Sequence, residues 1–196
     1  MDTRFTLLRH HPLASGATVL RRLEAVDRRS TPTSPALEVM TDLAVVDAVR
    51  IAPSASVESA HERMKSAGVR LLCVTSPADD LLGIITSNDI EGEKPVRFQH
   101  EAGVTRGEVL VRDIMTQRES LEVLLLDDVQ RAKVGDVVAT LQHIGRQHAL
   151  VVEPADKSVR VRGLFSTSRI GRQLGTSIQV GETAHTFAEI GAALRS

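Results

Sequence analysis

The sequence predicts a mixed α/β (α+β) fold: two βαββα units packed as a pseudo-twofold pair through their sheets. Residues 57–74 and 134–152 each show apolar residues at helical spacing, followed by a glycine and an apolar strand. The glycines, Gly68 and Gly145, suit the left-handed position that ends a helix. A unit of roughly 60 residues buries too little apolar surface to be stable by itself. Two copies that face each other across their sheets would share one core.

The similarity between the copies extends in both directions along the chain. Upstream, a short amphipathic helix ends at Met40 in the first copy and at Met115 in the second. Downstream, a polar turn leads to a second strand. That strand continues into residues 83–90 (GIITSNDI) in the first copy and residues 163–170 (GLFSTSRI) in the second. Each copy therefore reads as short helix, strand, helix, strand, strand and helix.

Three segments fall outside the repeat. The predicted division of the chain is an N-terminal arm and linker at 1–33, a first unit at 34–92, a connecting segment at 93–110, a second unit at 111–175 and a C-terminal extension at 176–196. In the extension, Phe187, Ile190 and Leu194 form one apolar stripe, which predicts a terminal helix that docks on the body or on a partner subunit.

Charge and composition restrict the classes of function. The chain has 24 Lys and Arg against 25 Asp and Glu, a formal net charge of −1. A general nucleic-acid binder shows a basic excess, and single-strand binders stack bases on aromatic side chains, whereas this chain has four Phe and neither Trp nor Tyr. The N-terminal residues form neither a signal peptide nor a membrane span. We therefore expect a cytoplasmic protein without nucleic-acid or membrane partners.

The reactive residue types point to neither a metal site nor a catalytic centre. The seven histidines are dispersed without Cys or acidic partners at ligand spacing. No nucleophile elbow, P-loop or dinucleotide-binding turn occurs. Cys73 is the only cysteine and lies in an apolar run, so we expect a buried thiol in a reducing compartment. We expect no metal, no catalytic residues and no enzyme activity.

The turn at residues 83–90 has the chemistry of a binding site for a nucleoside monophosphate. A strand runs directly into a helix at Thr86, and the first N–H groups of that helix attract phosphate. Thr86 adds a hydroxyl, and the Asp89 carboxylate can accept two hydrogen bonds from a ribose diol. A plainer interpretation is that Thr86 is an N-cap and Asp89 a first-turn acid. For one copy taken alone, the plainer interpretation is favoured.

The whole repeated pattern resembles the CBS domain family. The resemblance rests on Met40-Thr41 and Met115-Thr116, the two repeated helices, the buried strands and above all the two closing turns, and it covers residues 36–175. It implies a stand-alone bacterial-type protein with a disc-like tandem pair, the Bateman module. It also implies adenosyl ligands (AMP, ADP, ATP or S-adenosylmethionine) in clefts between the motifs, no required cofactor, and a homodimer formed through the helices.

The resemblance assigns ligand-binding roles to individual residues of the first motif. The implied residues are Gly83, Ile84, Thr86, Ser87, Asp89, Val49, Arg50 and Ile51. Asp89 would hold the ribose, Thr86 would lie near ribose or phosphate, and the segment from Val49 to Ile51 would line the base pocket. Leu72 and Ala149 stand where the family commonly has proline in the buried strand, which departs from the family's base pocket.

The second motif departs from the pattern at its acid. Ser166 keeps the hydroxyl, but Arg169 stands in place of the carboxylate, and a guanidinium cannot accept hydrogen bonds from a diol. The second site is therefore either empty or retuned, with Arg169 reaching a phosphate of a ligand bound next door. The alternative is that Arg169 is simply a solvated helix residue. We expect one good site per chain.

The leading interpretation is a regulatory module that senses an adenosine-containing nucleotide and signals to an unidentified protein. One alternative is a protein-interaction scaffold whose nucleotide site has decayed. A nucleotide-cofactor enzyme would need a catalytic group near the site, for which only Arg169 or His148 could be proposed. Nucleic-acid binding would rely on basic residues, namely Arg21, Arg22, Arg28, Arg29, Arg160, Arg162, Arg169 and Arg172.

Overall fold

The computed structural model of the protein describes residues 29–156 and 158–180, so the predicted helix at Phe187 to Leu194 lies outside the described residues. The strands are β1 (Thr41–Asp42), β2 (Arg50–Ile51), β3 (Leu71–Thr75), β4 (Leu81–Thr86), β5 (Thr116–Gln117), β6 (Val123–Leu125), β7 (His148–Ala155) and β8 (Ser158–Ser166). The α-helices are α1 (Val57–Ala67), α2 (Ser87–Glu91), α3 (Glu93–Ala102), α4 (Val111–Ile114), α5 (Leu126–Arg131), α6 (Val134–His143) and α7 (Thr167–Leu174). Short 3₁₀ helices occupy Ala36–Val39, Arg106–Glu108 and Arg118–Ser120.

The two repeated helices follow from their sequences. In α1 the Ser56 hydroxyl accepts a hydrogen bond from Ser59 N at 3.1 Å and caps the first turn. Gly68 ends the helix with φ 64°, and Gly145 follows α6 with φ 65°. Both left-handed glycines predicted from the repeat are therefore confirmed.

Two four-stranded sheets exchange one short strand each. Their orders are β1-β8-β7-β6 and β2-β3-β4-β5. Near the start of the first unit, β1 pairs with β8 of the second unit, with Thr41 opposite Leu164. Near the start of the second unit, β5 pairs with β4 of the first unit, with Thr116 opposite Ile84. The units are therefore interlocked, an arrangement that the linear order of the repeat does not indicate.

Glycine permits the close approach of each exchanged strand. Gly83 on β4 lies opposite Gln117, and a Cβ at this position would overlap the carbonyl oxygen of Thr116. Gly163 on β8 is its counterpart, where a Cβ would lie 2.8 Å from the carbonyl oxygen of Thr41. A side chain at either glycine would push the exchanged strand away from the sheet.

The sheets face each other and carry their helices on the outer faces. Successive side chains of a strand point to opposite faces of the sheet. Each sheet therefore contributes one set of residues to the core between the sheets and the other set to a core under its helices. Leu71, Cys73 and Ile84 of the first sheet pack with Leu150 of the second in the shared core between the sheets. The intervening residues pack under helices, Leu72 and Val74 with α1 and Phe165 with α6. The shared core predicted for the facing units is confirmed.

The closing helix of the first unit is broken, unlike that of the second. The break is at Gly92, which has an extended backbone. There α2 ends and α3 begins in a different direction. The connecting segment at 93–110 therefore contains a ten-residue helix, α3, which packs beside α2 and α4. Within the two described ranges, no helix is long and apolar enough to cross a membrane.

Candidate functional site

A cleft lies between the two units, where the end of β4 faces the start of β7. The first unit contributes Ile84, Thr86, Asn88 and Asp89. The remaining lining residues come from the second unit: Thr116, Ser120, Leu121 and Glu122 near its start, Gly145, Arg146 and Gln147 from the loop between α6 and β7, and His148 at the start of β7. A molecule in this cleft would touch both units at once.

Thr86 and Asp89 form a reciprocal cap at the start of α2. Asp89 Oδ2 accepts hydrogen bonds from Thr86 N at 2.8 Å and from the Thr86 hydroxyl at 2.7 Å. Asp89 N in turn donates to Thr86 Oγ1 at 3.3 Å. The plainer interpretation of this pair as a helix cap is therefore present in the structure. The same two side chains also line the cleft. The cap therefore fixes their positions while both remain part of the cleft wall.

A lysine outside the repeated pattern pairs with this carboxylate. Lys94 Nζ on α3 lies 2.6 Å from Asp89 Oδ1, and it also donates to the carbonyl oxygen of Ile114 at 3.2 Å. The Asp89 side chain is only 12% exposed, so this ion pair is shielded from solvent on the acid's side. Sequence reasoning missed Lys94 because its position depends on the helix break at Gly92, and no motif contains it.

A neutral imidazole faces the acid across the cleft. The pKa of His148 is lowered to about 4, mainly by burial and also by the nearby charge of Arg70, while Asp89 acts in the opposite direction. At neutral pH the ring is therefore uncharged and presents one hydrogen-bond donor and one acceptor. This side chain stands at the edge of the cleft, at the position that Leu71 occupies in the first unit.

The structure brings together some of the predicted site residues and separates others. Thr86, Asp89 and Ile84 line the cleft. Gly83 instead lies beneath β5, where it allows the strands to approach. Ser87 is buried, and its hydroxyl accepts a hydrogen bond from Arg70 Nε at 2.9 Å.

The base-pocket segment expected at Val49, Arg50 and Ile51 does not line this cleft. Val49 and Ile51 pack into the core under α1. Arg50 instead forms an ion pair with Asp79 at 2.6 Å, beside a separate surface depression. The strand exchange is the reason, because it places Thr116 and residues 120–122, near the start of the second unit, beside Thr86 and Asp89. The base-pocket role of this segment stays a prediction.

The equivalent turn of the second unit is built differently. Ser166 begins α7 without a side-chain hydrogen bond to the helix, and no acidic residue lies in the first turn. Arg169 is exposed, and within the described part of the chain no ion pair involves it. The described residues also contain no group of three His, Cys, Asp or Glu side chains that could hold a metal ion.

Two interlocked βαββα units around a shared cleft define a tandem α/β pair. The family model described as CBS domain matches residues 36–93. A comparison with curated proteins finds no match.

Similar solved structures support the same fold. An uncharacterized conserved protein from Pyrococcus horikoshii is 23% identical with a TM-score of 0.52, over 79% of this chain and 99% of that one. The CBS domain pair of protein MJ0100, solved with 5′-methylthioadenosine and S-adenosyl-L-methionine, is 18% identical with a TM-score of 0.51, over 74% and 98%. Protein MJ1225 from Methanocaldococcus jannaschii is 20% identical with a TM-score of 0.51, over 70% and 49%. These likenesses show that the chain has the fold of a CBS-domain pair.

Proposed function

We propose that this protein is a regulatory module that binds an adenosine-containing ligand in the cleft between its two motifs. The observation that carries the proposal is the placement of Asp89 and Thr86 on one wall of a cleft whose other wall belongs to the second unit. A carboxylate held rigidly by a helix cap is a suitable acceptor for the two hydroxyls of a ribose. The opposite wall supplies Arg146 for a phosphate and the neutral His148 for a polar group of the ligand.

The position of the cleft favours a regulatory role. A ligand held between Asp89 of the first unit and His148 of the second would stabilise one relative position of the units over others. It can shift their equilibrium only by as much as its affinity differs between those positions. We propose that an unidentified partner protein reads this shift, that two copies pair through their helices, and that the chain itself catalyses no reaction.

The likeness to MJ0100 supports the class of ligand. Its CBS domain pair was solved in complex with 5′-methylthioadenosine and S-adenosyl-L-methionine, two adenosine compounds. The same fold with a ribose-type acceptor in the cleft makes adenosine compounds the first ligands to test. AMP, ADP and ATP share the nucleoside and differ in the charge that they bring to the cleft.

The test is thermal unfolding of the parent protein with AMP, ADP, ATP and S-adenosylmethionine. A ligand present at 100 times its Kd should stabilise the fold by about 2.7 kcal/mol. Asp89→Asn should abolish that gain, because the amide nitrogen cannot accept the hydrogen bond that the second hydroxyl donates to a carboxylate. Asp113→Asn is a matched control: the Asp113 carboxylate caps α4 by accepting from Leu110 N at 2.8 Å, it is 19% exposed, and it lies outside the cleft.

Each other outcome of this experiment has a definite meaning. Absence of a shift with every ligand would overturn the sensor proposal and favour the interaction scaffold. A shift that persists in Asp89→Asn would place the site away from the first motif. We propose that the second motif holds no equivalent site, so titration should give one ligand per chain, and a stoichiometry of two would contradict this.

A further inference from the structure

The carboxylate of Asp89 has little capacity left for a ligand while Lys94 is bound to it. A carboxylate offers about four acceptor positions. Thr86 N and the Thr86 hydroxyl use two of them on Oδ2, and Lys94 Nζ uses a third on Oδ1 at 2.6 Å. A ribose diol donates two hydrogen bonds, so it can make its full contact only when Lys94 withdraws from Oδ1.

Lys94 is free to withdraw, because α3 holds it on a separate element. The break at Gly92 separates α3 from α2, and the Lys94 side chain is 37% exposed although Asp89 is only 12% exposed. Its second contact, the carbonyl oxygen of Ile114, does not involve the carboxylate. In the second unit the corresponding position is Leu174, so this lysine has no counterpart there.

An ammonium that leaves a carboxylate in a half-buried site needs another anion to pair with. Arg146 lines the cleft together with the acids Asp89 and Glu122. Two further cations lie beside it, because Lys94 pairs with Asp89 and Arg70 donates to Asn88 Oδ1. A ligand with a phosphate supplies the missing anion, whereas an uncharged nucleoside or a cationic sulfonium compound leaves the ammonium unpaired.

We infer that Lys94 is a specificity-determining residue that competes with the ribose for Asp89 and makes the cleft selective for phosphorylated adenosine ligands. This inference rests on the proposed function, because it concerns the same site. It adds a regulatory consequence: ligand entry releases Lys94 and thereby loosens the contact between α3 and the start of α2.

Isothermal titration of adenosine and of AMP into the parent protein, Lys94→Met and Lys65→Met tests the inference. Lys65 is the matched control, since it forms an ion pair with Glu62 at 3.1 Å on the exposed face of α1, away from the cleft. The parent and Lys65→Met should prefer AMP over adenosine by about tenfold or more, the factor that one charge-assisted hydrogen bond is worth. Lys94→Met should bind adenosine more tightly than the parent and lose most of that preference.

The failure of this inference can be told apart from the failure of the proposed function. Equal affinities of the parent for adenosine and AMP, or an unchanged preference in Lys94→Met, would overturn the role of Lys94 alone. If neither compound binds the parent or Lys94→Met, and ADP, ATP and S-adenosylmethionine also fail to stabilise the parent, the proposed site is wrong and the inference falls with it. If one of those three ligands does stabilise the parent, the inference alone is overturned. Lys94→Gln provides a second variant if Lys94→Met does not unfold with a single cooperative transition.

Discussion

Arg162 on β8 forms an ion pair with Asp42 on the exchanged strand β1, with 2.8 Å between Nη1 and Oδ1. The same guanidinium lies 3.7 Å from Glu153 on β7, so one side chain connects three neighbouring strands of the second sheet. Leu43 N also donates to the carbonyl oxygen of Arg162 at 2.9 Å. This cluster fastens the polypeptide that leads into the first unit to the sheet of the second.

Arg162→Ala should lower the free energy of unfolding by about 0.5–1 kcal/mol, because both partners of the ion pair are partly shielded from water. Urea unfolding followed by circular dichroism measures the change. Arg131→Ala is the control, since its ion pair with Asp128 is exposed at 74% and 69% and should contribute nothing measurable. Equal effects of the two substitutions would show that Arg162 does not fasten the exchanged strand.

Gly163→Ala should destabilise the protein by about 1–3 kcal/mol, the usual cost of forcing an extra group into a packed site. The new methyl would lie 2.7 Å from Met40 Sδ and 2.8 Å from the carbonyl oxygen of Thr41. Gly107→Ala is the matched control, because a Cβ there meets nothing within 4 Å. Thermal denaturation compares the two variants, and a Gly163→Ala protein as stable as Gly107→Ala would contradict the close approach.

His148 should make stability depend on pH. Its pKa in the folded protein is lowered to about 4, from about 6.5 in an unfolded chain. Below pH 6.5 the unfolded state therefore binds a proton that the folded state does not, and stability falls as the pH decreases from 6.5 towards 4. Above pH 6.5 the imidazole is neutral in both states and the full stability is present.

The substitution that tests this dependence is His148→Leu, which installs the residue found at the equivalent position of the first unit. The free energy of unfolding of the parent should decline more steeply than that of the variant between pH 6.5 and 4, by at most about 1.4 kcal/mol per pH unit for one proton. Urea titrations at several pH values give both curves. His143→Leu, at an exposed position on α6, should run parallel to the parent. Parallel curves for His148→Leu as well would contradict the prediction.

Cys73 should resist alkylation in the folded protein. Burial raises the pKa of this thiol, which is 5% exposed in the shared core between the sheets. Because the thiolate is the reactive form, iodoacetamide should modify Cys73 slowly in buffer and rapidly in denaturing urea. Mass spectrometry measures both rates. Rapid modification in buffer would mean that the two sheets separate easily.

Local patterns in the sequence determined the elements of each unit. The apolar spacing in α1 and α6 and the two left-handed glycines depend on residues within one or two turns, so the sequence predicts them directly. The shared core follows from apolar strands in units too small to be stable alone. Thr86 and Asp89 were identified as a pair for the same reason, because their three-residue spacing sets the cap geometry.

Only the tertiary structure decided which segments meet at the cleft. The exchanged strands β1 and β5 have two residues each, and nothing within so short a strand specifies a partner as distant as Leu164 is from Thr41 or Ile84 is from Thr116. Their pairing depends on the space above Gly83 and Gly163, which exists only when the sheets are assembled. Consequently Thr116 lines the cleft in place of the expected segment at Val49 to Ile51. The Lys94–Asp89 ion pair likewise depends on the direction that α3 takes after Gly92.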